Sequence, residues 1–215
     1  MHRVIAIDYE RKSSENLNRA LIRRRYARAI NEALKGHSDS SVILLEAPVE
    51  NYFEANLSSV KSLLNNGFEG VYLSFQRPFK NVSALFEQQD IDINKLLIID
   101  GATSCTGEIN EKNSRCIDLS KDLEAEDIAK TICSSLNKLK SKNRFVFVDS
   151  LTTMALYEPL SKAGKFPDFL MNTIRKNEIE NIVLLFNVAE DLMQNRCFGS
   201  LSSYADEYIH LGLCT

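Results

Sequence analysis

Few residues of this chain combine a reactive type with a telling position. Asp149 closes the apolar run Phe145–Val148 and is followed by Ser150. A carboxylate where a buried strand meets a loop is expected to bond to local backbone or to that serine. Gln76 follows the apolar run Val71–Phe75; its amide can orient a water but cannot accept a proton as a general base would. Asn51 and Glu54 have the spacing of a capping box, in which Asn51 caps a helix and Glu54 reaches back three residues. Five cysteines (Cys105, Cys116, Cys133, Cys197, Cys214) and three histidines (His2, His37, His210) are scattered without a CxxC pair. Neither a zinc or other metal site nor a disulfide framework is expected, and reduced thiols fit a cytoplasmic protein.

The elements that must position these residues follow from hydrophobic pattern. Apolar runs at Val42–Leu45, Val71–Phe75, Leu96–Ile99, Phe145–Val148 and Ile182–Phe186 read as buried strands, most of them separated by helical periodicity. That alternation predicts βαβ units and a parallel sheet. Phe53, Leu57, Val60 and Leu64 form one apolar stripe that ends near Gly67, a natural helix C-cap, so Phe53 is expected to be buried against the sheet. Further helices are predicted around residues 124–139 and behind Pro167, and the polar stretch between Gly101 and Leu123 reads as a long loop.

The first 36 residues form a separate unit in this reading, distinct from a core over 37–215. A short strand, Val4–Ile7, precedes a helix from about Ser14 to Lys35. Its inward stripe is Ile22, Tyr26, Ala29, Ile30 and Ala33, with Arg24, Arg25 and Arg28 opposite. Nine Lys/Arg face four Asp/Glu in residues 1–36, whereas 17 Lys/Arg face 25 Asp/Glu in the remainder. A basic arm on an acidic body fits either a solvated helix face or docking on an acidic neighbour, and the body would repel a nucleic-acid backbone. No run approaches the ~18 apolar residues of a membrane span, and the N-terminus lacks a signal-peptide pattern.

Four segments in order resemble the KaiC-like branch of the RecA superfamily: SVILLEAPVENYFEANL (residues 41–57), VYLSFQRP (71–78), FVFVDSLTT (145–153) and LSSYADEYIHL (201–211). They are similar in particular to an uncharacterised archaeal group in which an acidic, aromatic stretch replaces the glycine-rich loop. The resemblance implies a RecA-like three-layer sandwich with a central, mainly parallel sheet flanked by helices.

It also places a phosphate-binding loop at Ala47, Pro48, Val49, Glu50, Asn51, Tyr52, Phe53 and Glu54. Such a loop needs G-x-x-x-x-G-K-[ST], so that backbone amides and a lysine wrap the phosphates and a hydroxyl meets magnesium. Ala47 and Tyr52 stand where the glycines would be, Phe53 where the lysine would be and Glu54 where the hydroxyl would be. Glu50 and Glu54 would add about 1–4 kcal/mol of repulsion each beside a triphosphate. Gln76 takes the place of the family's catalytic glutamate, Arg77-Pro78 is retained, and Asp149 matches the carboxylate of the second Walker motif. The family's further C-terminal strands, which bear basic residues for a neighbouring subunit's nucleotide, have no counterpart before Thr215.

The expectation is a non-catalytic, regulatory or protein-interacting relative of an ATPase, with no catalytic residue and no cofactor, ATP and magnesium being disfavoured. Its expected partner is another protein or a second copy, a KaiC-like ATPase paralogue among the candidates, rather than a membrane or nucleic acid. An ATPase with a non-standard phosphate site and a RecA-type nucleic-acid binder are the competing expectations.

Overall fold

The computed structural model describes residues 3–35, 40–103, 113–119, 124–157, 163–190 and 201–210, with backbone only for 3–16. Its centre is a seven-stranded sheet in the order β4-β3-β2-β5-β6-β1-β7, formed by β1 (Ser41–Ala47), β2 (Glu69–Ser74), β3 (Leu96–Asp100), β4 (Cys116–Asp118), β5 (Arg144–Asp149), β6 (Ile182–Ala189) and β7 (Glu207–His210). Every neighbouring pair is parallel. The five expected strands are β1, β2, β3, β5 and β6; they read as continuous apolar runs because a parallel sheet is covered on both faces. Cys116–Asp118, within the stretch expected to be loop, is the edge strand β4. Three residues, two half-buried and one exposed, carry too short and too polar a signal to stand out.

Two helical layers sandwich the sheet. On one side, α1 (Arg3–Lys35), α2 (Tyr52–Asn65) and α3 (Phe79–Gln88) cover Ile43, Leu45, Tyr72, Ile98, Phe147 and Leu185. On the other, α4 (Ala125–Leu136), α5 (Leu151–Tyr157) and α6 (Phe166–Lys176) cover Leu44, Val71, Leu73, Val146, Leu184 and Phe186. Alternate strand residues serve opposite layers, as the pleat requires. Gly70 of β2 lies under the Phe145 ring, and a Cβ there would come within 2.4 Å of it. α2 ends where expected: Gly67 takes a positive φ of 83°, and the amide of Phe68 bonds back to the Leu63 carbonyl.

The N-terminus differs from the sequence expectation. Residues 4–7 are the first turns of α1 and not a strand. No Gly or Pro interrupts residues 3–35, so a helix formed in the arginine-rich part continues to Arg3 without a break. The inward stripe is as expected: Tyr26, Ile30 and Ala33 are buried and Ile22 and Ala29 pack beside them, in the same cluster as α2 and the sheet. Arg24, Arg25 and Arg28 are exposed.

Candidate functional site

In a parallel α/β sheet the carboxyl ends of the strands are where ligands gather, and the residues singled out above converge on the ends of β1, β2 and β5. β1 leads through Pro48 into a short 3-10 turn, Val49–Asn51, and then directly into α2. Asn51 sits in the right-handed helical region, and its side chain makes no cap hydrogen bond, so the expected capping box does not form. The 3-10 turn already supplies a helical lead-in: the Asn51 amide donates to the Pro48 carbonyl at 2.9 Å. Glu54 turns instead to α1, where it is buried and ion-paired with the Arg23 guanidinium; the same arginine donates to Gln89 Oε1 at 2.5 Å. Glu50 is exposed, as is Gln76.

The side chain that heads α2 into the interior is Tyr52, 9% exposed, and not Phe53. Phe53 is half-buried, with the Arg77 guanidinium 5.2 Å above its ring, a cation–π arrangement at the rim. Arg77 is held by its own backbone: its amide donates to Ser74 Oγ at 3.2 Å, and that hydroxyl donates to the Arg77 carbonyl at 2.8 Å.

Asp149 is 2% exposed and is the hub of a buried polar cluster. The Tyr72 hydroxyl donates to Asp149 Oδ2 at 2.5 Å, a long-range partner in place of the expected serine. Tyr72 is fixed in turn by an edge-on contact with Phe86 and stacking on Phe147, with ring centroids 5.1 and 5.2 Å away. Asn187 of β6 donates to Asn56 of α2, and Asn56 adjoins the Asp149 carboxylate. The Tyr52 hydroxyl approaches Asp149 and Ser150 without a well-formed hydrogen bond to either, and Asp149 Oδ1 has no partner of good geometry. Ser150 bonds to Thr153 at 3.0 Å, through its hydroxyl and the Thr153 amide.

Beside Asp149, between Phe53, Asn56, Tyr72, Gln76 and Arg77, the remaining cavity measures about 10 Å³. That is room for one water at most, against roughly 300–1,000 Å³ for an ordinary small-molecule site.

Burial is the largest influence on Asp149 and raises its pKa above the ordinary carboxylate value. The Tyr72 hydrogen bond, the nearby Asn56 amide and Tyr52 hydroxyl, and the Arg77 charge oppose the rise. Burial likewise pushes the Tyr52 and Tyr72 hydroxyls well above 10, with the Asp149 charge adding to it. A raised carboxyl pKa means that the folded chain holds the proton more tightly than the unfolded one. The stability due to this group is complete below the unfolded value, about 4, and is lost as pH rises through the native value. The unfolding free energy of wild type minus that of Asp149→Asn, from urea titrations, is therefore expected to fall as pH rises above about 4. A difference that grows as pH rises would show a carboxylate stabilised in its charged form.

Two further groups of potential ligands lie at strand ends. Glu46 of β1, Glu190 just past β6 and His210 of β7 each offer an atom within 4.8 Å of the other two, and His210 Nδ1 is 3.4 Å from Glu46 Oε2. An imidazole with two carboxylates can hold a divalent cation, while a simple Glu46–His210 ion pair accounts for the contact without one. Burial raises the Glu46 pKa, which the His210 charge partly offsets. Asp100, Cys116 and Asp118 form the other group. Asp100 there already accepts from the Phe79 amide at 2.6 Å and from the Thr103 amide and hydroxyl, a structural role. The Cys116 and Cys133 thiols are raised to about 12 and about 11 chiefly by burial. Cys105, Cys197, Cys214, His2 and His37 lie outside the described residues.

Sequence reasoning overlooked Tyr72, Asn56, Asn187 and Arg23. Tyr72 alone left a trace, because a tyrosine inside a buried apolar strand needs a partner for its hydroxyl.

No family model and no curated protein matches the chain by sequence. Among solved structures it is similar to the uncharacterized protein PH0321 from Pyrococcus horikoshii, solved in complex with an unknown peptide. That match has 13% identity and a TM-score of 0.61, covering 80% of this chain and 77% of that one. It is also similar to the KaiC-like protein PH0186 from Pyrococcus horikoshii, at 12% identity and a TM-score of 0.51, covering 78% of this chain and 69% of that one. At such identities the likeness concerns the fold, which is a RecA-like α/β sandwich around an all-parallel sheet. No helix among the described residues is long and apolar enough to cross a membrane.

Proposed function

We propose that this chain is a KaiC-like, RecA-fold protein of the cytoplasm that works by protein contact, without nucleotide turnover. The observation that carries this reading is the buried Tyr52–Asp149–Tyr72 cluster, in which Asp149 is tied to Tyr72 and faces a cavity of only about 10 Å³. Residues 47–54 offer no glycine or lysine to cradle phosphates, and Gln76 offers no base. Asp149 serves as a packed, hydrogen-bonded side chain held by Tyr72 and Asn56. In this reading the phosphate loop is degenerate and the chain is a pseudo-ATPase of regulatory type. Its partner is a protein, either a KaiC-like ATPase paralogue or a second copy. The peptide bound to PH0321 accords with a body of this shape used for protein contacts.

Calorimetry with ATP and magnesium tests the proposal. The expected result is no saturable heat below about 1 mM, corresponding to less than roughly 4 kcal/mol of binding free energy. Dissociation in the low micromolar range, or phosphate release that disappears in Asp149→Ala, would overturn it.

A further inference from the structure

The Asp149 cluster leaves no space for a ligand, but the outer face of the same helical layer does. Between α1 and α2 runs a groove of about 950 Å³. Its α1 wall carries Arg24, Arg28, Asn31 and Lys35, spaced four, three and four residues apart on a single helix face. Ser58, Lys61, Ser62 and Asn65 of α2 face them, and Leu57, Phe68 and Ile91 contribute an apolar floor. The lining holds five Lys/Arg and one acid, Glu32, in a chain whose net charge is −3.

The cations divide into two sets. Arg23 is committed to Glu54 and Gln89 and fixes the wall. Lys61 donates to the Gln89 carbonyl at 2.9 Å and keeps two further N–H donors, and Lys35 makes an exposed pair with Glu32 at 3.1 Å. Arg24 and Arg28 are exposed and have no hydrogen-bond or ion-pair partner among the described residues. Their guanidinium forks match carboxylates.

We propose that this groove is the docking surface for an acidic, partly aliphatic peptide segment of a partner protein. From Arg24 to Lys35 the wall runs about 16 Å, the span of about five extended residues. Carboxylates of the segment meet Arg24, Arg28 and Lys61; its apolar side chains reach the Leu57 and Ile91 floor; and Asn31 and Asn65 offer amide donors to its backbone, while Asn66 is already bonded to Asn31 and Ser62. A single-stranded nucleic acid fits less well. The only aromatic lining residue is the half-buried Phe68, whereas such strands use aromatic stacking platforms, and the acidic remainder of the chain repels phosphates.

The inference deepens the protein-contact reading and rests on it, yet the two fail separately. ATP binding at Asp149 would remove that reading and leave the groove unaffected. The groove itself is tested by fluorescence anisotropy with a labelled hexapeptide of alternating glutamate and leucine, a lysine–leucine counterpart and a short oligothymidine. Saturable binding of the acidic peptide alone is expected, weakening about tenfold or more between about 50 and 300 mM salt. The double variant R24E/R28E should lose at least tenfold in affinity with an unchanged melting temperature, since both side chains are exposed. No saturable binding to the wild type, equal binding by R24E/R28E, or tighter binding of the oligothymidine would each overturn the proposal. So would a sedimentation coefficient that R24E/R28E lowers, because a second copy would then be the occupant.

Discussion

Tyr52→Ala is expected to cost about 3–5 kcal/mol of stability and to gain no affinity for ATP. Its ring is 9% exposed at the head of α2, within the cluster that joins α1, α2, α3 and the sheet, and its hydroxyl approaches Asp149 and Ser150. Truncation opens a cavity whose walls cannot collapse, because Tyr72 and Phe147 are stacked and Asp149 is tied to Tyr72. Against a total of roughly 5–15 kcal/mol this is a large fraction. The neighbouring Phe53→Ala should cost far less, about 1–2 kcal/mol, since that ring is half-buried, touching only the edge of the cluster and the Arg77 guanidinium. Urea denaturation of the two variants ranks them directly. If Phe53→Ala proves the more damaging, the interior is filled by Phe53 and the proposed reading of the site is wrong.

A comparable loss is expected at α1. Ile30 is fully buried on the face turned to α2 and the sheet, so Ile30→Asp removes an aliphatic contact and introduces a carboxylate into an apolar cluster. The cost should be about 4 kcal/mol or more. Arg24→Asp, six residues earlier on the exposed face, should stay within about 0.5 kcal/mol. Removal of residues 1–36 should match or exceed the Ile30→Asp effect, because it uncovers the cluster and leaves Glu54, buried to 4% exposure, without Arg23. Equal stability of wild type and Ile30→Asp would mean that α1 does not dock on its own chain.

The sequence by itself determined the five central strands and the class of the sheet. Five apolar runs bounded by polar breaks read as strands buried on both faces, and helical periodicity between most of them predicts a parallel sheet. It also determined which face of α1 is buried, because Tyr26, Ile30 and Ala33 recur at helical spacing, and what the β1–α2 segment lacks, because glycine and lysine are either written there or not. Tertiary structure decided what fills the site. Whether Tyr52 or Phe53 points inward depends on the 3-10 turn Val49–Asn51, which sets the rotation of α2 by a fraction of a turn that periodicity does not resolve. Glu54 meets Arg23 across 31 residues and Asp149 meets Tyr72 across 77. Local patterns favoured the near partners, a cap at Asn51 and a bond to Ser150. Packing brought closer competitors, and a buried carboxylate goes to the donor that reaches it without solvent between them.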